Sequence, residues 1–215
     1  MDRLVKKRGD VMSILVDNKR ILIPTNGYDI PIVKKSVILD TNTSLIAFSN
    51  TVEHEIPKFK SKGVHFFLDD YKFISVVKHP EKYLEKLKQY KFVITPDASL
   101  YNEMPIWKQL RMVGYNRNCG AIWQKNGLNV IVSVSWSSYN SFNFCFEGIE
   151  KGSTVAIGMI GCKHSKLSFM RGYDKMLEII EPASIICFGK PLPEMKGNII
   201  AIDYNKSKVG KKCRS

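Results

Sequence analysis

Five short apolar runs recur at near-even intervals, and they constrain the fold of this chain more than any other feature. They start near residues 64, 92, 129, 154 and 184, roughly 25–37 residues apart, which is about the length of a strand–helix–strand unit. Several are apolar without alternation, as in Thr154-Val155-Ala156-Ile157 and Ser184-Ile185-Ile186-Cys187-Phe188. Strands read that way when both faces are buried, and parallel sheets bury both faces. Helical periods fill the gaps. Tyr83, Leu84, Leu87 and Tyr90 follow Pro80 along one helix face. A second helix begins near Met104, with Trp107, Leu110 and Val113 pointing one way. Phe169, Met170, Tyr173, Met176, Leu177 and Ile180 form the cleanest stripe, closed by Glu181-Pro182. Asn198-Ile199-Ile200-Ala201-Ile202 supplies a last strand. The expectation is an α/β domain over residues 61–205, with a parallel or mostly parallel sheet that is open or closed into a partial barrel.

The first 60 residues read differently. Apolar runs at 11–16 and 20–24 flank Asp17-Asn18-Lys19 and suggest a hairpin, and residues 30–33 and 37–39 are two more strand candidates after the Asn26-Gly27 turn. These residues are expected to form a small β-rich N-terminal element, either a subdomain or an edge extension of the sheet. Residues 206–215 carry five positive charges and no negative ones, which reads as a basic disordered tail. Between Trp136 and Ser153 the link is too short for an ordinary helix, and Phe142, Phe144 and Phe146 alternate strictly. A strand or a short buried aromatic plug explains them, and a base-stacking surface is the sharper alternative.

Composition excludes several classes. Hydrophobic residues make up 44% and charged residues 25%, ordinary for a globular chain and incompatible with global disorder. No apolar run approaches the roughly 18–20 residues that span a bilayer, and the basic start Met1-Asp2-Arg3-Leu4-Val5-Lys6-Lys7-Arg8 leads into no secretory pattern. The five cysteines, Cys119, Cys145, Cys162, Cys187 and Cys213, are irregularly spaced and read as reduced thiols. A cytoplasmic protein without a membrane partner is expected. Charge is the one unusual property: 33 Lys and Arg against 20 Asp and Glu give +13. Removing the five tail charges leaves +8, which favours polyanions, nucleic acid first.

In parallel α/β folds, ligands bind beyond the carboxyl ends of the strands. That rule nominates Asp97, Ser99, Tyr101 and Trp136 as lining residues of a polar pocket. Asp69-Asp70 and Asp97 could divide acid and base roles or bind Mg²⁺, although a solvated turn and a cap explain them more simply, and no metal site is assigned. Cys162 and His164 form a weak thiolate–imidazole candidate. Gly158, Gly161 and Gly189 lie near strand ends, but no nucleotide-binding glycine motif is present. Phosphate or nucleic-acid contacts are expected at Arg111, Arg117, Lys163, Lys166, Arg171 and Lys190, several of them interleaved with aromatic residues. No cofactor follows from any of these residues.

One order of segments is familiar. It runs through Thr95-Pro96-Asp97-Ala98-Ser99-Leu100-Tyr101, the Trp107 to Trp123 region, Val132-Ser133-Val134-Ser135-Trp136 and Phe144-Cys145-Phe146-Glu147-Gly148-Ile149. Gly158-Met159-Ile160-Gly161 and Gly172-Tyr173-Asp174-Lys175-Met176-Leu177, closed by Pro182, complete it. This order resembles a domain-of-unknown-function family of phages, plasmids and integrative elements, over about half the chain or more. The resemblance implies a mobile-element setting and a shared fold. It implies no mechanism and carries no catalytic residue; the first 60 residues and the basic tail fall outside it. Three functional expectations follow: a mobile-element accessory protein engaging nucleic acid through lysine-rich faces, an enzyme acting on a nucleotide or phosphorylated substrate at the strand-end rim, or an interaction module acting on a host protein. Oligomeric state is not legible.

Overall fold

Strands as short and apolar as these need cover on both faces, and the computed structural model supplies it. It describes residues 28–38, 40, 42–52, 56–160 and 165–204. Within them lie β1 (Leu45–Ala47), β2 (Gly63–His65), β3 (Phe92–Ile94), β4 (Val130–Ser133), β5 (Thr154–Gly158), β6 (Ser184–Phe188) and β7 (Ile199–Ile202). All seven belong to one sheet in sequence order, every neighbouring pair parallel, curved into a half-barrel. The helices are α1 (Ile56–Phe59), α2 (Ile74–Lys78), α3 (Leu84–Leu87), α4 (Ile106–Lys125) and α5 (Lys166–Ile180).

Alternate residues of each strand serve two cores. Val64, Val93, Val132, Val155 and Ile185 face the helices, where they meet Val113 and Ile122 of α4 and Phe169, Tyr173 and Met176 of α5. Phe92, Ile94, Ile131, Ala156, Ile186 and Ile200 fill the concave face. Burying each such aliphatic or aromatic side chain is worth about 1.5–3 kcal/mol. His65 lies on the concave face against Phe188, ring centroids 4.4 Å apart, and its Nδ1 accepts the Phe67 N–H at 3.2 Å. Burial pushes its pKa down to about 3, so the ring is neutral.

The six strands from β2 to β7 fall on the apolar runs read from sequence. Of four other details, two differ and two follow one of the alternatives read from sequence. β1 lies inside the first 60 residues and pairs with β2, so part of that stretch extends the sheet edge. Residues 30–33 form no strand; Val33 makes an isolated parallel bridge to Ile149. The helix expected after Pro80 is a 3₁₀ turn, Pro80–Tyr83, followed by the single turn of α3. The alternating phenylalanines form a 3₁₀ turn (Tyr139–Asn143) and a plug, with Phe144 and Phe146 2% and 3% exposed, so neither offers a face to a base. The hairpin at 11–24, the Asn26-Gly27 turn, Leu39 and the 206–215 tail lie outside the described residues. No helix among the described residues is long and apolar enough to cross a membrane.

Candidate functional site

Parallel strands all end on one side, so the half-barrel collects its post-strand loops at one rim. A pocket of about 430 Å³ opens there, walled by the loops after β3, β4 and β5 and the first turn of α5. Asp97, Ser99, Tyr101 and Trp136 all line it. Asp97 is half-buried. Its Oδ1 accepts the Ser133 hydroxyl at 2.6 Å, and a Cβ on Gly158 would stand 3.6 Å from its Oδ2. Desolvation raises the Asp97 pKa to about 6; the Ser133 bond opposes that rise, and the nearby Asp70 charge adds to it. Asp70 in turn accepts the Ser99 N–H at 3.3 Å and the Ser99 hydroxyl at 3.2 Å. The loops after β2 and β3 are thereby tied together beside the pocket.

Trp136 is held from behind. Its indole lies against Gly172 of α5, where a Cβ would collide with it, and its ring sits 5.2 Å from Phe169. Only glycine at 172 lets the helix approach this closely.

A buried polar network underlies the rim. Thr95 Oγ1 donates to Asn116 Oδ1 at 2.9 Å and accepts the Ser133 N–H at 2.8 Å. Asn116 Nδ2 donates to the Pro96 carbonyl at 2.8 Å, and Gln109 accepts the Ser137 hydroxyl at 2.5 Å. Helix α4 therefore buries Gln109, Val113, Asn116 and Arg117, while Trp107, expected on its apolar stripe, is 63% exposed. Gln109, Asn116 and Ser133 were thus missed from sequence as parts of this buried network. Polar residues spaced along a buried helix face were the available signal for two of them.

The expected phosphate contacts divide. Arg117 is corrected: it is 2% exposed, and its guanidinium donates to the carbonyls of Cys145 (2.6 Å), Glu147 (2.9 Å) and Ser133 (3.3 Å) and to Asn116 Oδ1 (2.6 Å). Burial pulls its pKa down to about 10, which leaves it charged and structural. Arg111 is exposed over the Trp107 ring at 5.1 Å, and Arg171 over the Tyr139 ring at 5.5 Å. Lys166 pairs with Glu194 at 2.5 Å, and Lys190 is exposed after β6. Asp69 is a solvated turn residue paired with Lys72 at 2.7 Å. Gly161, Cys162, Lys163 and His164 lie outside the described residues, as does Cys213. Cys119, Cys145 and Cys187 are buried thiols that form no disulfide among the described residues.

Comparison with known proteins agrees with the mobile-element resemblance. The chain is 36% identical over 170 residues to the Gene 1 protein of Mycobacterium phage L5, covering 77% of this chain and 73% of that protein. It is 33% identical over 190 residues to the Gene 1 protein of Mycobacterium phage D29, covering 83% and 70%. No solved structure matches. The match to the family reaches further toward the N-terminus than the motifs read from sequence: with residues 24–205 matched, the chain belongs to the phage-associated family described as Domain of unknown function (DUF4417).

Proposed function

We propose that this phage-related protein binds single-stranded nucleic acid across the C-terminal rim of its half-barrel. The observation that carries this reading is the pair of exposed arginine-on-aromatic stacks, Arg111 on Trp107 and Arg171 on Tyr139. Each lies a few residues from a pocket-lining residue. Trp107 and Tyr139 are 63% and 62% exposed, and the pocket-lining Tyr101 is 53% exposed. Solvated aromatic faces beside guanidinium groups suit unpaired bases, because each base offers a π-face and each phosphate a charge. Duplex DNA hides those base faces inside its stack. The surplus of positive charge adds attraction for any polyanion. The test is binding of labelled single-stranded and duplex oligonucleotides at one salt concentration. Tighter binding of single strands is expected. Equal affinity, a duplex preference or no binding would overturn the reading.

One observation favours a second reading, an enzyme acting on a nucleotide at the same rim. The Asp97 carboxyl, with its pKa near 6, sits beside Ser133 and near Asp70, and a carboxyl tuned toward neutrality suits general acid–base work. Turnover of a nucleotide that is lost in Asp97→Asn would support it; no turnover of any nucleotide would remove it.

A further inference from the structure

Among the described residues, no lysine or arginine lines the pocket. Its charged side chains are Asp97 and Glu103, joined by hydroxyl and amide groups that include Ser99, Ser135 and Asn102. A phosphate placed against these described residues would face carboxylates with no lysine or arginine among them. The cations Arg111, Arg171, Lys166 and Lys190 belong to the rim and not to the lining. Among the described residues the lining therefore favours neutral hydrogen-bond donors, and the exterior favours anions. A unit of a nucleic-acid strand divides the same way, with an uncharged base on one side and a charged phosphate on the other.

Resting on the single-strand reading above, we propose that the pocket takes one unstacked nucleobase of the bound strand, guanine in preference, with its N1–H and amino group donating to Asp97. The Asp97 carboxylate is held for that task. Its Oδ1 is anchored by Ser133, and its Oδ2 has no hydrogen-bond partner among the described residues. Oδ2 lies beside Gly158, where an added Cβ would stand 3.6 Å from it and 3.0 Å from the Phe67 ring. Guanine alone among the common bases presents two adjacent donors on its pairing edge. Adenine and cytosine set an acceptor beside their donor, which a carboxylate repels, and uracil and thymine offer a single donor between two acceptors. Trp136 and Tyr101 supply apolar walls, as pockets for extruded bases require. A volume near 430 Å³ falls within the roughly 300–1,000 Å³ of small-molecule sites.

The experiment compares the full chain's affinity for a short oligothymidylate, for the same strand with one central guanine, and for free guanosine. The guanine is expected to tighten binding about tenfold, the scale of one bidentate base contact. That ratio should fall to near one in Asp97→Asn and in Ser165→Trp, which narrows the pocket from an exposed position at the start of α5. The inference is overturned if guanine adds nothing in the wild type, or if both variants keep the gain. Binding of the thymidylate without a guanine effect would remove the base pocket and leave the rim reading standing. Guanosine binding without strand binding would do the reverse, and no binding of either would remove both.

Discussion

The two ends of the half-barrel carry opposite chemistry. At the carboxyl ends of the strands lie a pocket without lysine or arginine among its described lining residues, a carboxyl with a raised pKa, and exposed aromatic rings under arginines. At the amino ends the lysines collect. Lys34, Lys35 and Lys125 line a cleft of about 570 Å³ with Glu150. Lys91 pairs with Asp40 at 2.8 Å, Lys88 with Glu85 at 2.9 Å and Lys151 with Glu181 at 2.6 Å. Even the backbone there is occupied, with the Lys34 N–H donating to Gln124 and the Lys35 N–H to Glu150, both at 2.7 Å. The lesson is that a surplus of charge and a place to bind are separate properties. Lysines paired with carboxylates in solvent hold little directed affinity, whereas rings and arginines fixed beside a pocket can select a ligand.

The largest expected effect separates the two ends directly. Trp107→Ala with Tyr139→Ala should weaken single-strand binding by about a hundredfold, since each stacked base is worth roughly 1–3 kcal/mol. Replacing Lys34, Lys35 and Lys125 by alanine should weaken it only a few-fold. Fluorescence anisotropy with one oligonucleotide measures both, and the reverse ranking would move the site to the other end. Next comes the pH dependence of stability. Burial holds the folded Asp97 near pKa 6 against an ordinary 3.8, so the folded state prefers the proton. The contribution is fully present below about pH 4 and is lost as pH rises toward and through 6, by about 2–3 kcal/mol at its upper bound. Denaturant titrations should find Asp97→Asn more stable than wild type at pH 8 and level with it at pH 4. Gly172→Ala forces a methyl into the Trp136 indole and should cost about 1–3 kcal/mol, visible as a lower thermal midpoint and a perturbed tryptophan emission. The smallest effect belongs to the amino end, where Lys151→Ala, breaking its exposed pair with Glu181, should leave the midpoint unchanged.

The parts of this architecture that could be read from sequence share one physical trait. β5 and β6 are buried along nearly their whole length, so nothing interrupts their apolar runs, and their spacing exposes the repeating unit. The rim candidates followed from topology, because parallel strands deliver Asp97, Ser99, Tyr101 and Trp136 to the same side. What escaped depends on contacts between distant segments. β1 has three residues and no periodicity of its own, and is defined by its pairing with β2. Arg117 stands among polar neighbours and reads as solvated until three carbonyls and an amide oxygen converge on it. Trp107 reads as core because the helical period is apolar at its position, while the buried face of α4 is instead partly polar and satisfied by loop carbonyls.

A salt titration of single-strand binding by the full chain tests the central claim most directly. Each phosphate neutralised on a single strand contributes a slope of about −0.7 in log affinity against log salt. With Arg111, Arg171 and Lys190 as the rim cations, Lys166 being paired with Glu194, the slope should be no steeper than about −2. Binding carried by stacking should persist at salt concentrations that abolish lysine-only contacts. Absence of binding, or a much steeper slope left unchanged by Trp107→Ala with Tyr139→Ala, would contradict the assignment of function to the carboxyl-end rim.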